Sequence, residues 1–164
     1  MSIDNIAFCN RETIEQVEES TDFAPKFDNN GLIVVVTTDA KSGELLMQGY
    51  MNKEALIATI KSGEAHYYSR SRKVLWHKGA TSGLVQKIKE IMIDDDQDCI
   101  WLKVVVSGGA SCHVGYRSCF YRKITKSANK ENKSVAIPKL EFTEKLKVFD
   151  PIEVYGEDTN PTIL

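Results

Sequence analysis

The chain has 164 residues, 42% of them hydrophobic, so it is long enough to form one domain with a buried core. Its formal net charge of -2 at pH 7 gives no general attraction to nucleic acids or membrane surfaces, and no apolar run is long enough to span a bilayer. The N-terminus is polar and acidic, unlike a signal peptide, which predicts a cytoplasmic location. In that compartment the four cysteines are expected to stay reduced.

Three regions follow one another along the chain. Residues 1–30 are polar, and "RETIEQVEES" has the pattern of a short helix. Residues 31–123 hold the dense apolar patterns and are expected to form the domain itself. In residues 124–164, "KSANKENKS" is typical of a polar linker, and "LEFTEKLKVFDPIEVYG" has apolar residues that favour a strand or a docking segment.

The first half of the domain reads as two strands and a helix. "GLIVVVTT" is continuous and β-branched, which predicts a buried strand, and "DAKSGE" is a turn that leads into a partner strand, "LLMQGYM". "NKEALIATIKSG" predicts a helix that Asn52 caps at its start and Gly63 ends, with Leu56 and Ile60 on one face.

The second half is richer in strands. "AHYYS" and "KVLW" are short strand candidates, and "CIWLKVVV" is a clear strand that ends at "SGG". The period of "QKIKEIMID" is ambiguous, so a helix and a strand both stay open for it. Together these elements predict an α+β domain, mostly antiparallel β-sheet with one main helix.

A basic segment, "YYSRSRKVLWHKGATSG", has the residue types that bind phosphate groups. Arginine forks and exposed backbone amides suit phosphate oxygens, and an indole ring can stack on a base. The candidate substrate-binding residues are therefore Arg70, Arg72, Trp76, Lys78 and Ser82. The alternative is an ordinary basic loop with a tryptophan in the core.

An acidic run, "DDDQD", precedes the strand "CIWLKVVV". If the run is extended, Asp94, Asp96 and Asp98 share one face, and Asp95 points to the other. Three carboxylates on one face repel one another unless a cation lies among them, and such oxygen ligands suit Mg²⁺ or Ca²⁺. A solvated acidic turn without a metal is the alternative.

Two cysteines, Cys112 and Cys119, follow that strand, and His113 is next to the first of them. Their Cys-x6-Cys spacing is not that of a zinc finger. Two thiolates leave zinc short of ligands, which suits a catalytic site with an open position for water. The alternative is two buried structural thiols beside a surface histidine.

Taken in order, "LLMQGYMNKEAL", "YYSRSRKVLWHKGATSG", "DDDQD" and "CHVGYRSCFYR" resemble the phosphoribosyl-AMP cyclohydrolase family of histidine biosynthesis. The resemblance covers residues 31–123, and the ending "KVFDPIEVYG" is also similar to that family. It implies a homodimeric hydrolase that opens the adenine ring of phosphoribosyl-AMP at the N1–C6 bond. It also implies two cofactors, Zn²⁺ and Mg²⁺, with sites at the subunit interface.

The resemblance also implies roles for individual residues. Asp94, Asp96 and Asp98 correspond to the magnesium ligands. Cys112 and Cys119 correspond to two zinc cysteines, and Asp95 stands where the family has the third, so we expect a mixed site with Asp95 from the partner chain. Zinc lowers the pKa of bound water to about 7, which would supply the nucleophile, and His113 would move protons.

Three positions near these motifs, Ala80, Leu84 and Val114, differ from the family pattern. They leave two alternatives to hydrolysis of phosphoribosyl-AMP. One is a related hydrolase that acts on another purine-type nucleotide. The other is a catalytically silent homologue that binds metal and nucleotide.

Overall fold

A computed structural model describes residues 5–125, 137–157 and 162 of the chain. The elements in chain order are α1 (Ile14–Glu19), β1 (Ile33–Asp39), β2 (Leu45–Met51), α2 (Lys53–Ser62), β3 (His66–Ser69), β4 (Val74–His77), β5 (Gln86–Ile93), β6 (Cys99–Val106), β7 (Arg122–Thr125), β8 (Lys139–Phe142) and α3 (Pro151–Tyr155). None of the described helices is long and apolar enough to cross a membrane.

The main sheet has the strand order β2-β1-β6-β5. Its outer pairs, β1 with β2 and β5 with β6, are antiparallel, while the central pair β1 and β6 is parallel. A parallel pair needs a long crossover, and here α2 and the antiparallel β3–β4 hairpin lie within that connection. The predicted α+β class and the mainly antiparallel sheet are therefore confirmed.

The main helix begins and ends where its sequence predicts. The Asn52 side chain accepts a hydrogen bond from the Ala55 amide at 2.8 Å, and Gly63 ends α2 with a left-handed φ of 69°. Ala55, Leu56 and Thr59 are buried on its inner face. This face closes the core on one side of the domain.

The core lies against one face of the main sheet. Its largest aliphatic members are at most 1% exposed, and each such side chain contributes about 1.5–3 kcal/mol by burial: Ile33, Val35, Leu46, Leu56, Ile100, Leu102 and Val104. The other face, which we call the outer face, is different. It leaves Val34, Met92, Trp101 and Val105 between 36% and 44% exposed.

The ambiguous segment "QKIKEIMID" is strand β5. Its pairing with β6 shifts register between Ile88 and Glu90, so that strand carries an irregularity of the β-bulge type. The extra residue places Ile88 and Ile91, both packed against the core, three positions apart instead of two. This spacing explains why the sequence showed neither a clean strand period nor a helical one.

Both ends of the chain add structure to the domain. The predicted N-terminal helix is α1, and the predicted strand in the tail is β8, which pairs with β7. The tail also forms the short helix α3, which the sequence did not predict. The linker prediction for "KSANKENKS" lies outside the described residues.

Candidate active site

A cavity of about 680 Å³ lies between β2, the β3–β4 hairpin, the loops that follow β4 and β6, and residues 147–157. It brings together residues that the sequence had marked in two separate motifs. These are Arg70, Arg72, Trp76, Lys78, Ser82, His113 and Cys119. The basic segment and one of the two cysteines therefore share one concave site.

The two arginines extend from the turn of the β3–β4 hairpin. The Arg70 guanidinium lies 4.0 Å from the centroid of the Tyr50 ring, and that of Arg72 lies 5.8 Å from the Trp76 ring. Stacking on an aromatic face orients a guanidinium while leaving its N–H groups available. Both arginines are exposed, so they can meet an anionic ligand.

The loop after β4 brings backbone and hydroxyl groups to the cavity wall. Gly79 has φ +88°, and a Cβ at this position would lie 2.3 Å from the Val85 nitrogen, so only glycine fits. The resulting tight loop places Thr81 and Ser82 in the cavity lining. The Ser82 hydroxyl also accepts a hydrogen bond from the Leu84 amide at 3.2 Å.

Residues 111–119, the thiol loop, fold back on themselves after β6. The Cys112 amide donates to the Tyr116 carbonyl at 3.1 Å, and the Gly115 amide donates to the Cys112 carbonyl at 3.0 Å. The Cys119 amide donates to the Leu46 carbonyl at 2.7 Å, which ties the loop to β2. Cys112 is buried and Cys119 is exposed, so the pair lies at the boundary between core and cavity.

The two thiols share a hydrogen bond, and this contact dominates their ionisation. It lowers the pKa of Cys112 to about 6, with backbone amides and the Lys78 ammonium also favouring the thiolate while burial opposes it. The same hydrogen bond, together with the partial loss of water around the Cys119 sulfur, raises the pKa of Cys119 far above its usual value. The pair therefore loses one proton more readily than the other, and its two sulfur atoms are donors of a kind that zinc accepts.

Lys78 has a more buried position than its basic motif predicts. It is 3% exposed, and its ammonium donates to the Ser111 carbonyl at 2.6 Å. Burial lowers its pKa, while Cys119 and Cys112 raise it. Lys78 therefore contacts the thiol loop directly, in addition to lining the cavity.

Behind the thiol loop lies a buried polar chain that the sequence analysis missed. The Gln86 amide donates to the Ser111 hydroxyl at 3.1 Å and accepts from the Tyr67 hydroxyl at 2.7 Å. The Tyr67 hydroxyl is also 2.7 Å from that of Thr37. The signal available in the sequence was that Thr37, Tyr67 and Gln86 lie within apolar strands. Polar side chains are buried there only when they have hydrogen-bond partners.

The acidic run is a turn and not an extended strand. In this acidic turn, residues 94–98, the Asp94 amide donates to the Cys99 carbonyl at 3.1 Å, and Gln97 has a left-handed φ of 59°. The predicted alternation, with Asp94, Asp96 and Asp98 on one face, is therefore wrong, because it requires extended backbone. The turn also removes the geometric reason for giving Asp95 a different metal from Asp94 and Asp96, so the assignment of the aspartates to magnesium and of Asp95 to zinc rests on the family resemblance alone.

The carboxylates of the acidic turn are not grouped as the expected set of Asp94, Asp96 and Asp98. Asp94, Asp95 and Asp96 can each place one oxygen within 4.8 Å of the others. The Asp94 carboxylate also accepts from the Asp98 and Cys99 amides at 2.9 Å. Asp98 is outside this group, and the Lys26 ammonium lies 3.8 Å from Asp96 and 3.6 Å from Asp98. Such an oxygen cluster has the chemistry that Mg²⁺ accepts.

The acidic turn and the thiol loop lie at opposite ends of β6. The turn immediately precedes this strand and the thiol loop follows it. Eight extended residues span roughly 25 Å, so Asp95 cannot reach the thiols of its own chain. The cavity lining likewise includes no residue of the acidic turn.

Comparison with known proteins assigns the family. The family model for phosphoribosyl-AMP cyclohydrolase matches residues 47–121. A phosphoribosyl-AMP cyclohydrolase of Rhodopseudomonas palustris (strain HaA2) is 51% identical over 144 residues, which cover 88% of this chain and 93% of the relative. One from Rhizobium etli (strain CIAT 652) is 50% identical over 142 residues, covering 86% and 90%. The chain is therefore an enzyme of the phosphoribosyl-AMP cyclohydrolase family.

Proposed function

We propose that the chain hydrolyses the adenine ring of phosphoribosyl-AMP, in histidine biosynthesis. Water adds to C6, the N1–C6 bond breaks, and a proton passes to N1. The observation that supports this most is that one cavity gathers the basic segment and the thiol loop in a chain whose relatives bear this activity's name.

Different cavity residues would bind different parts of the nucleotide. Arg70 and Arg72 are exposed cations that bind a phosphate group, and the half-buried Trp76 offers a ring face to the purine. Ser82 supplies a hydroxyl at the same wall. His113, next to Cys112 and in the cavity lining, is placed to move a proton at the purine ring.

Two metal ions belong to this proposal. Cys112 and Cys119 would hold zinc together with Asp95 of a second chain, and Asp94, Asp96 and Asp98 would hold magnesium. Zinc bound there supplies Lewis acidity that activates water near neutral pH. An oxygen ligand in place of a sulfur makes the zinc site harder, so Mn²⁺ or Fe²⁺ would be tolerated better.

A homodimer would bring these parts together. The outer face of the main sheet exposes apolar side chains, including Val34 and Trp101. Gln48 and Tyr50 lie opposite Val36 and Val34 in the register, so they share this face, and both also line the cavity. A second copy on the outer face would thus adjoin the cavity, and a fully active monomer by light scattering at micromolar concentration would contradict this assembly.

The activity is tested with purified protein, added zinc and magnesium, and phosphoribosyl-AMP. We expect the ultraviolet absorbance of the ring-opened product to appear, and AMP, which lacks the second phosphoribosyl group, to stay unchanged. Turnover of AMP but not of phosphoribosyl-AMP would support a different purine nucleotide as substrate. No turnover of either nucleotide by metal-loaded protein would contradict the proposal.

A further inference from the structure

A stretch that precedes the last residues of the chain packs directly on the thiol loop. In this C-terminal segment, residues 143–157, the Val148 amide donates to the Gly115 carbonyl at 2.7 Å. Gly115 has φ +101°, and a Cβ on it would lie 2.4 Å from the Phe149 carbonyl oxygen. The approach is therefore so close that no side chain fits between the thiol loop and the segment.

One side chain of the segment, Glu144, is bound to the thiol loop through both of its oxygens. One oxygen accepts from the Arg117 amide at 3.1 Å and the other from the Ser118 amide at 3.3 Å. These two amides immediately precede Cys119. Glu144 is partly buried, while Lys145 and Leu146 beside it are exposed. The carboxylate thus holds the backbone from which a thiol projects into the cavity.

The same segment forms part of the cavity wall. Lys147, Pro151, Ile152 and Tyr155 line the cavity together with His113 and Cys119. Asp150 caps α3 by accepting from the Ile152 amide at 2.9 Å, which orders this wall locally. The whole segment lies beyond residues 47–121, the part that the family model matches.

We propose that the C-terminal segment forms part of the active site, and that Glu144 is a positioning residue. Its carboxylate fixes the backbone conformation of the thiol loop in which Cys112 and Cys119 bind a metal ion. A carboxylate is suited to this task because two oxygens meet two consecutive N–H donors. In a glutamine, one oxygen becomes an NH₂ group that faces a donor and cannot accept. Residues that orient metal ligands are commonly worth about 10–100-fold in metal affinity or activity.

The test compares Glu144→Gln with Glu141→Gln. Both variants remove one negative charge, but Glu141 makes an exposed ion pair with Lys123 at 3.4 Å within the β7–β8 hairpin. Two measurements do not depend on turnover: zinc retained during dialysis against a chelator, and the alkylation rates of Cys112 and Cys119 in metal-free protein, resolved by mass spectrometry. The third measurement is kcat/KM for phosphoribosyl-AMP. This arm and the zinc arm rest on the proposed function, whereas thiol alkylation does not.

For Glu144→Gln we expect about tenfold faster zinc loss, faster alkylation of both thiols and about tenfold lower kcat/KM, with Glu141→Gln unchanged. Equal zinc loss and equal alkylation in the two variants would overturn the proposal, even if the wild type hydrolyses phosphoribosyl-AMP. An inactive wild type with the expected zinc and thiol differences would leave Glu144 supported and remove only the proposed substrate.

A measurement on the unmodified protein covers the case in which Glu144→Gln does not fold. Hydrogen exchange of the Arg117 and Ser118 amides should be slow, because Glu144 accepts from both. Exchange at the rate of exposed loop amides would show that the contact does not persist in solution, and would overturn the proposal.

Discussion

The acidic turn and the thiol loop are two irregular stretches at opposite ends of β6, and each is bound by a segment from one end of the chain. In the acidic turn the anchor belongs to the turn itself. Gln97 is 5% exposed, accepts from the Ala24 amide at 2.8 Å and donates to the Val17 carbonyl at 2.9 Å. In the thiol loop the anchoring side chain, Glu144, comes from the terminal segment.

The chemistry of the two stretches explains this difference. A neutral amide is buried in the acidic turn, while Asp94 and Asp95 remain exposed, where water solvates their charges. The thiol loop buries Cys112 beside the Lys78 ammonium. A buried thiolate is stable only near positive charge, so Cys112 and the Lys78 ammonium are buried together. The side chain that anchors this loop, Glu144, comes from a different segment of the chain.

The largest predicted effect on activity is that of replacing His113, the residue of the thiol loop that we propose moves protons. We expect His113→Ala to lower kcat by about 10²–10⁴, the usual contribution of a positioned acid or base. His66→Gln is the matched control, because His66 is not in the cavity lining and stacks on His77 at 4.3 Å. Steady-state kinetics of both variants decide the matter, and unchanged turnover in His113→Ala would remove this residue from the mechanism.

The thiol pair should also titrate as a unit in the metal-free protein. Ultraviolet absorbance of the thiolate should rise as pH rises through about 6, because the Cys119 hydrogen bond lowers the pKa of Cys112. In Cys119→Ala this step should move up toward the ordinary value of 9.0. Cys99, beside the acidic turn, should ionise only above its ordinary range, because burial and then Asp94 and Asp98 raise its pKa. A step near 6 that survives in Cys119→Ala would contradict this pairing.

Removal of the anchor in the acidic turn should cost stability. Gln97→Ala loses three hydrogen bonds, to Ala24, Val17 and Asp22, and should lower the free energy of unfolding by about 3 kcal/mol. Lys26→Gln is the control, since its ion pairs with Asp96 and Asp98, at 3.8 and 3.6 Å, are exposed and worth less than about 1 kcal/mol. Urea unfolding at low and high salt measures both, and similar losses in the two variants would show that Gln97 is not the anchor.

The smallest effect is expected at Cys99. If Asp95 of the partner chain is the third zinc ligand, Asp95→Cys should slow zinc loss to a chelator, because a thiolate binds zinc more tightly than a carboxylate. In that case Cys99→Ser should barely change it, even though Cys99 closes the acidic turn by donating its amide to the Asp94 carboxylate at 2.9 Å. The opposite pattern, with zinc lost from Cys99→Ser and retained in Asp95→Ala, would make Cys99 the ligand.

Local pattern was sufficient to predict most of the elements. The cap at Asn52, the glycine stop at Gly63 and the continuous β-branched run before the turn are all short-range signals, and α2, β1 and β2 followed them. Residue types in two separate motifs, the basic segment and the thiol loop, also pointed to side chains that line one cavity.

Tertiary structure decided the rest, because it depends on contacts between distant residues. The parallel pairing of β1 with β6, the bulge in β5 and the turn in residues 94–98 are set by pairing across the sheet. The burial of Lys78 against Ser111 and the binding of Glu144 to Arg117 and Ser118 join residues that are 33, 27 and 26 positions apart. A sequence shows which groups are available, but the folded backbone decides which of them are desolvated together, and that sets their charge and their chemistry.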